Sequence, residues 1–210
     1  MSGIIKLKNN NYEKLEEIAS LINNNKVIVF PTETVYGIGT NGLDRNAIEK
    51  LYKIKERAFS KPITLLVSSY EMICSVANII SPLEKKIISN FFPGPITLIL
   101  NKKKIVPNIL TANTDTVGVR MPDNELILKL IEYCKVPIAT SSANISGFPP
   151  SIDVEDIYNC FKDKVDLYID GGKSRIGVPS TVVKVENNDI KILREGIITK
   201  KDILARIKDN

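Results

Sequence analysis

The chain has 210 residues, of which 43% are hydrophobic and 25% charged, and its 29 basic and 24 acidic residues give a formal net charge of +5. This length and composition predict one globular domain with an ample core, and the mildly basic charge suits an anionic partner such as a nucleotide or RNA without requiring one. The sequence contains no histidine, which excludes Ser-His-Asp and Cys-His catalysis, HExxH zinc sites and proton transfer by imidazole.

The cysteines and the N-terminal segment indicate the compartment. Cys74, Cys134 and Cys160 are isolated in sequence and form no CxxC pair, so we expect free thiols rather than disulfides or metal ligands. The N-terminal sequence has no apolar signal-peptide core, and no apolar run approaches the length of a membrane helix. We therefore expect a cytoplasmic protein with no membrane partner.

Strands and helices alternate along the chain. The predicted strands are Ile4–Leu7, Val27–Phe30, Ile63–Val67, Ile96–Leu100, Val117–Arg120, Pro137–Thr140, Val165–Ile169, Thr181–Val185 and Ile190–Leu193. The predicted helices run from Tyr12 to Ile22, from Asp44 to about Lys55, from Pro82 to near Phe92, from Leu126 to Tyr133, from Val154 to Phe161 and from Asp202 to Lys208. The third helix has the strongest start signal, a capping box between Ser81 and Glu84 with proline at the first helical position. Because some neighbouring strands have no helix between them, we expect an α/β fold with a mixed sheet.

The segment from Gly37 to Gly42 matches the pattern GxGxxG. Six residues separate Phe30 from Gly37, and no carboxylate follows about 20 residues later, so the dinucleotide-binding interpretation is disfavoured. The glycines are expected instead to permit tight turning and a close approach of backbone. No GxxxxGK[ST] pattern occurs, which excludes a P-loop.

Lys55, Arg57 and Lys61 form the first candidate anion site. On a continuous helix, Lys55 and Arg57 would diverge by about 200° and could not share a ligand. A shared anion therefore requires the helix to end near Lys55, and Pro62 favours this because it disfavours helical geometry in the residue before it. The alternative is a solvated helix face.

Polar residues also cluster at the ends of other predicted strands. The segment 141–147 follows one strand and could form an anion-binding nest of backbone N–H groups or a simple turn. Arg120 and Arg194 each end a strand, and Ser180 precedes one. This recurrence predicts that the groups share one rim of the sheet.

Several motifs in order resemble those of the YrdC-like family, the threonylcarbamoyl-AMP synthases. They are PTETVYGIG, the K-x-R of Lys55 and Arg57, S-K-P, FPGPITLIL, GVRMP, the S-x-N of Ser142 and Asn144, PSTVV and the late REG. The resemblance implies one YrdC-like domain over residues 1–210, a twisted open mixed sheet flanked by helices with a basic concave face. It also implies formation of threonylcarbamoyl-AMP and pyrophosphate from L-threonine, bicarbonate or CO2, and ATP, for the modification of adenosine-37 in tRNA.

The resemblance further implies roles for individual residues. Those expected to bind L-threonine are Thr34, Leu66, Arg120, Thr140 and Ser180, with Arg120 on the carboxylate and Leu66 in the side-chain pocket. Those expected to bind ATP are Lys55, Arg57, Lys61, Thr116, Ser142, Asn144, Pro150 and Arg194. Within the second set, Lys55, Arg57, Ser142 and Asn144 are the expected catalytic residues that hold the phosphates. Magnesium should bridge the phosphates mainly through water and phosphate oxygens, with Glu33 a weak candidate ligand and no dedicated protein metal site.

The resemblance leaves partners and selectivity open. A downstream tRNA threonylcarbamoyl-transferase complex is the expected recipient of the product, and direct contact with tRNA is an open question. We expect the short form of the family, without the extra C-terminal domain of longer relatives. Leu66 stands where relatives often have a polar residue, so selectivity for threonine over serine is open. Two alternative functions are an RNA-binding or ribosome-maturation module, and carbamoyl-AMP formation in hydrogenase maturation.

Overall fold

One mixed sheet organises the protein in a computed structural model that describes residues 3–7 and 14–208. Within those residues its eleven strands are β1 (Gly3–Lys6), β2 (Ile28–Phe30), β3 (Gly37–Asn41), β4 (Thr64–Leu66), β5 (Ala77–Asn78), β6 (Ile96–Lys102), β7 (Thr116–Arg120), β8 (Ile138–Ser142), β9 (Leu167–Asp170), β10 (Thr181–Glu186) and β11 (Asp189–Arg194). Their order is β1-β9-β2-β3-β8-β4-β7-β6-β10-β11, with β5 added to β6.

This sheet contains both parallel and antiparallel strand pairs. The pairs β1/β9, β2/β9, β4/β7 and β6/β10 are parallel, and the remaining pairs are antiparallel. The predicted mixed α/β sheet is therefore confirmed.

Seven α-helices pack on the sheet within the described residues: α1 (Leu15–Asn23), α2 (Arg45–Ile54), α3 (Tyr70–Val76), α4 (Pro82–Phe91), α5 (Glu125–Cys134), α6 (Val154–Phe161) and α7 (Lys200–Lys208). Tyr12, predicted to begin the first helix, lies outside the described residues. On β2, Val29 belongs to one core cluster while Ile28 and Phe30 belong to the other. Successive strand residues point to opposite faces, so helices cover both faces of the sheet.

The capping box at the start of α4 is present as predicted. Ser81 Oγ accepts from the backbone N–H of Glu84 at 3.0 Å, and Glu84 Oε2 accepts from the backbone N–H of Ser81 at 2.9 Å. Two of the N–H groups that a helix leaves unpaired at this end are thereby satisfied.

Three elements differ from the sequence prediction. The segment from Gly37 to Asn41, predicted as a turn, is strand β3, although the predicted close approach of backbone is real. A Cβ added at Gly39 would lie 2.6 Å from the carbonyl oxygen of Ala139 on β8. Helix α3 and the short strand β5 were not predicted. In the part of the chain that the structure describes, no helix has the length and apolar character needed to cross a membrane.

Candidate active site

A cavity of about 140 Å³ lies at the ends of the central strands. The sequence-predicted residues that line it are Thr34, Arg57, Leu66, Arg120, Thr140, Ser142, Ser180 and Arg194. These residues come from the loops after β2 and α2, from β4, β7, β8 and β11, and from the residue before β10. The predicted convergence on one rim is therefore found for this set.

The other predicted site residues do not line this cavity. They are Lys55, Lys61, Thr116, Asn144 and Pro150. Lys61 is exposed, Thr116 begins β7 and Pro150 is half-buried. Asn144 lines a separate apolar cavity of about 300 Å³ with Phe148 and Cys160.

Arg57 reaches the cavity because α2 ends where the shared-anion interpretation requires. The helix stops at Ile54, and Glu56 adopts a positive φ of 52°, which turns the chain out of the helix. The guanidinium of Arg57 then donates to the carbonyl oxygens of Lys61 at 3.0 Å and Pro62 at 2.9 Å. The segment after the helix is thus held as a loop beside the cavity.

Three guanidinium groups share the electrostatic field of this cavity. Partial burial lowers the pKa of Arg194, and the positive charges of Arg120 and Arg57 lower it further. Burial also lowers the pKa of Arg57. Like charges held this close repel one another, so an anion placed between them would be stabilised.

Arg120 is the most enclosed of the three arginines, with 7% of its surface exposed. Its Nε donates to the carbonyl oxygen of Gly94 at 3.2 Å and its Nη2 donates to Thr34 Oγ1 at 2.9 Å. Nη2 also lies 2.7 Å from Glu33 Oε1. Thr34 Oγ1 is in turn 2.9 Å from Thr32 Oγ1, which donates to the carbonyl oxygen of Val35 at 2.6 Å. These contacts fix both the guanidinium and the Thr34 hydroxyl.

Ser180 is positioned from two sides. Arg194 Nη2 donates to the Ser180 carbonyl oxygen at 2.7 Å and to its hydroxyl at 3.1 Å, and Thr97 Oγ1 lies 2.8 Å from the same hydroxyl. Thr97 and Thr64 line the cavity but were missed in the sequence. The period of two along a strand could have found Thr64, which precedes Leu66 by two residues on β4.

Lys55 is buried and does not line the cavity. It is 1% exposed, and its Nζ donates to the carbonyl oxygens of Ser142 at 2.5 Å and Asn144 at 2.7 Å. Burial lowers the pKa of Lys55 to about 7, and the charge of Arg57 contributes in the same direction. Through these two hydrogen bonds, Lys55 connects the end of α2 to the segment that follows β8.

Three backbone N–H groups of the segment after β8 are engaged within the protein. The backbone N–H groups of Ala143, Asn144 and Ser146 donate to the carbonyl oxygens of Tyr36, Ser142 and Lys55. Side chains reinforce the turn, since Ser142 Oγ donates to Asn144 Oδ1 at 2.5 Å. These three N–H groups are therefore not free to bind an anion in this structure.

The described residues contain no cluster of three or more His, Cys, Asp or Glu side chains that could hold a metal ion. Glu33, the acidic residue beside Arg120, is already paired with it.

Residues 20–196 match the family model Sua5_yciO_yrdC, described as "Telomere recombination". The chain belongs to the Sua5/YciO/YrdC family. It is 40% identical over 190 residues to the threonylcarbamoyl-AMP synthase of Pyrococcus abyssi, covering 90% of this chain and 56% of that protein. It is also 40% identical over 199 residues to a putative threonylcarbamoyl-AMP synthase of Methanocaldococcus jannaschii, covering 93% of each.

Solved structures of Sua5/YciO/YrdC proteins share the fold. Pyrococcus abyssi Sua5 in complex with L-threonine matches with a TM-score of 0.94 and 38% identity, covering 98% of this chain and 61% of that one. Escherichia coli YciO matches with a TM-score of 0.87 and 26% identity, covering 97% and 100%. The family assignment made from the motifs is thus confirmed. The chain spans little more than half the length of the Pyrococcus abyssi protein.

Proposed function

We propose that this protein is an L-threonylcarbamoyladenylate synthase, which forms threonylcarbamoyl-AMP and pyrophosphate from L-threonine, bicarbonate or CO2, and ATP. The observation that carries the proposal is the cavity of about 140 Å³, which all five residues expected to bind threonine help to line. Pockets for drug-sized ligands usually measure about 300–1,000 Å³, so this space suits a small amino acid. A related protein with L-threonine bound supports the same substrate.

The proposed chemistry needs cations more than a proton-transferring side chain. The threonine amine and bicarbonate give a carbamate and water, and the carbamate oxygen attacks the α-phosphorus of ATP and displaces pyrophosphate. Both reactants are anions, so the main task is to reduce repulsion and align them. Arg57, Arg120 and Arg194 supply positive charge around the cavity, and the nucleophile carries its own negative charge. The absence of histidine is therefore no obstacle.

ATP is too large for the cavity and would extend beyond it. We propose that Arg57, Ser142 and Arg194 meet the phosphates at the cavity, while Lys61, Thr116, Asn144 and Pro150 meet the rest of the nucleotide outside it. Lys55, through the carbonyls of Ser142 and Asn144, would hold the phosphate-binding segment in place. Magnesium would enter with ATP on phosphate oxygens and water.

The product would pass to a tRNA threonylcarbamoyl-transferase complex, because a mixed carbamic-phosphoric anhydride is an activated group donor. Leu66 is 1% exposed and lines the cavity. An apolar side chain can pack against the threonine methyl group, which serine lacks, but cannot hydrogen-bond the hydroxyl that both amino acids carry. We therefore propose modest discrimination against serine, about tenfold.

The test is to incubate the protein with ATP, bicarbonate and labelled L-threonine and to measure pyrophosphate and labelled adenylate. The proposal expects release that depends on all three substrates. Pyrophosphate release without threonine, or tRNA retention at physiological salt without any turnover, would contradict it. The second outcome would favour the RNA-binding alternative.

A further inference from the structure

Glu33 is a buried carboxylate without a hydrogen-bond donor among the described residues. It is 4% exposed as a residue and 2% as a side chain, and neither carboxylate oxygen accepts a hydrogen bond from them. Oε1 lies 2.7 Å from Arg120 Nη2, close enough for an ion pair, although the N–H is not directed at the oxygen. Buried carboxylates normally accept several hydrogen bonds, so this one, although paired with Arg120, retains the capacity to accept a further donor.

The backbone holds Glu33 next to the cavity. The N–H groups of Ile176 and Gly177 donate to the carbonyl oxygens of Glu33 and Thr34, each at 2.8 Å. Arg120 Nη2 then meets both the Glu33 carboxylate and the Thr34 hydroxyl. Thr34 and Arg120 line the cavity while the carboxylate lies beside it. The carboxylate thus touches a guanidinium that lines the cavity, and its oxygens have no hydrogen-bond donor among the described residues.

Arg120 retains a donor for a second anion. Its Nε and Nη2 contact protein groups, whereas within the described residues Nη1 donates to none. A substrate carboxylate can therefore bind Nη1 while Glu33 stays on Nη2. Every charged residue in the cavity lining is an arginine, so a substrate ammonium group has one adjacent carboxylate to pair with, that of Glu33.

The spacing of an α-amino acid matches this arrangement. Its amino nitrogen and carboxylate oxygens are about 3 Å apart, from the lengths of the bonds that join them. A carboxylate on Arg120 therefore brings the amino group within reach of an acid that is itself in contact with the same guanidinium.

We propose that Glu33 is the subsite for the α-amino group of the substrate, so that Arg120 and Glu33 together recognise both ends of an amino-acid zwitterion. The inference rests on the proposed function for the identity of the amino acid. The same oxygen can accept an N–H from the uncharged amine, which leaves the nitrogen lone pair free to attack the carbon source. The pair selects α-amino acids over carboxylic acids that lack the amine.

The test compares two ligands on two proteins, without ATP. Dissociation constants of L-threonine and of (R)-3-hydroxybutanoate, its counterpart without the amino group, are measured for the wild type and for Glu33→Gln. Loss of a hydrogen bond to a charged group should weaken threonine binding roughly 10- to 150-fold. Binding of the analogue should not weaken and should tighten slightly, because its carboxylate meets Arg120, and Glu33→Gln removes the negative charge beside that guanidinium. Equal weakening of both ligands would mean that Glu33 only supports the fold, and would overturn the proposal.

Glu84→Gln is the matched control, since Glu84 is a buried carboxylate that caps α4 away from the cavity. It should alter neither dissociation constant. If Glu33→Gln fails to fold or the analogue binds too weakly to measure, a crystal structure of the wild type with L-threonine decides. The proposal expects the amino nitrogen about 3 Å from a Glu33 oxygen, and an amine bound only by water or backbone would refute it.

These measurements separate the inference from the proposed function. Threonine binding that depends on Glu33 in a protein that releases no pyrophosphate would uphold the subsite and reject the synthase. A synthase whose magnesium requirement rises in Glu33→Gln, with threonine binding unchanged, would assign Glu33 to the metal instead and overturn the subsite.

Discussion

Lys55 Nζ lies 2.5 Å from the carbonyl oxygen of Ser142, a residue 87 positions later in the chain. The contact joins the end of α2 to the end of β8, next to the turn that carries Asn144. The lysine expected to contact phosphate is buried in this structure and links the end of α2 to the segment after β8.

We predict that this lysine makes stability depend on pH. Its pKa is lowered from 10.5 to about 7 in the folded protein, so between these values the unfolded chain binds more protons than the folded one. The free energy of unfolding should therefore rise with pH from about 7 to 10.5, by at most about 1.4 kcal/mol per pH unit. The two carbonyl contacts favour the charged form and make the slope smaller.

Urea unfolding of the wild type and Lys55→Met at pH 7, 8 and 9 measures this dependence. The gap between the two curves should widen in favour of the wild type as pH rises, because all other titrating groups are common to both. Lys53→Met, which alters an exposed lysine on the same helix, should run parallel to the wild type. Parallel curves for Lys55→Met would show that Lys55 stays charged throughout.

The Lys55 contact also shows what sequence reasoning could reach. Sequence patterns that act within a few residues allowed correct predictions, as the capping box of Ser81 and Glu84 at the start of α4 shows. The end of α2 near Lys55 was readable too, because Pro62 restricts the residue before it. The direction of the Lys55 side chain was not, since its acceptors are 87 and 89 residues away.

Strand β3 and the contact between Glu33 and Arg120 could not be predicted from the sequence, for the same physical reason. The residues from Gly37 to Asn41 have weak strand propensity, and pairing with β2 and β8 on either side makes them a strand. Glu33 and Arg120 form an ion pair only because tertiary folding brings them together, and no local sequence pattern predicts it. The family motifs could identify which residues matter, whereas folding decides which of them touch.

Gly39→Ala tests the close packing of β3 against β8. A Cβ at this position would lie 2.6 Å from the Ala139 carbonyl oxygen and 2.8 Å from Ile138 Cγ2, so the strands would have to separate. We expect a loss of about 1–3 kcal/mol in the free energy of unfolding, measured with urea. Gly3→Ala is the control, because nothing lies within 4 Å of the added atom there. Similar stability for both variants would show that β3 can shift without cost.

Arg57→Ala should remove catalysis and leave the fold intact. The guanidinium lines the cavity and donates to two carbonyl oxygens of its own loop, so we expect a loss of no more than about 1.5 kcal/mol in unfolding free energy. Loss of a cation that stabilises developing charge should lower kcat/KM for pyrophosphate formation at least about 100-fold. Arg45→Ala, an exposed arginine that lines a different cavity, should keep kcat/KM within about twofold. Near wild-type turnover in Arg57→Ala would remove this residue from the phosphate site.

Arg120→Met should separate the two substrates. Because Arg120 is expected to bind the threonine carboxylate, KM for threonine should rise about 100-fold while KM for ATP changes less than about threefold. Equal changes in both would move Arg120 to the phosphate side.

Arg120→Met should also show whether Glu33 carries a buried negative charge. Arg120→Met leaves a carboxylate that is 2% exposed without its cation, which typically costs about 3–5 kcal/mol of unfolding free energy. Adding Glu33→Gln removes that charge, so the double variant should be more stable than Arg120→Met alone, by about 1–3 kcal/mol. Urea unfolding of the wild type, both single variants and the double variant gives the coupling energy directly. A double variant no more stable than Arg120→Met would mean that Glu33 is already uncharged or reaches solvent once Arg120 is gone, and that the pair is not a buried ion pair.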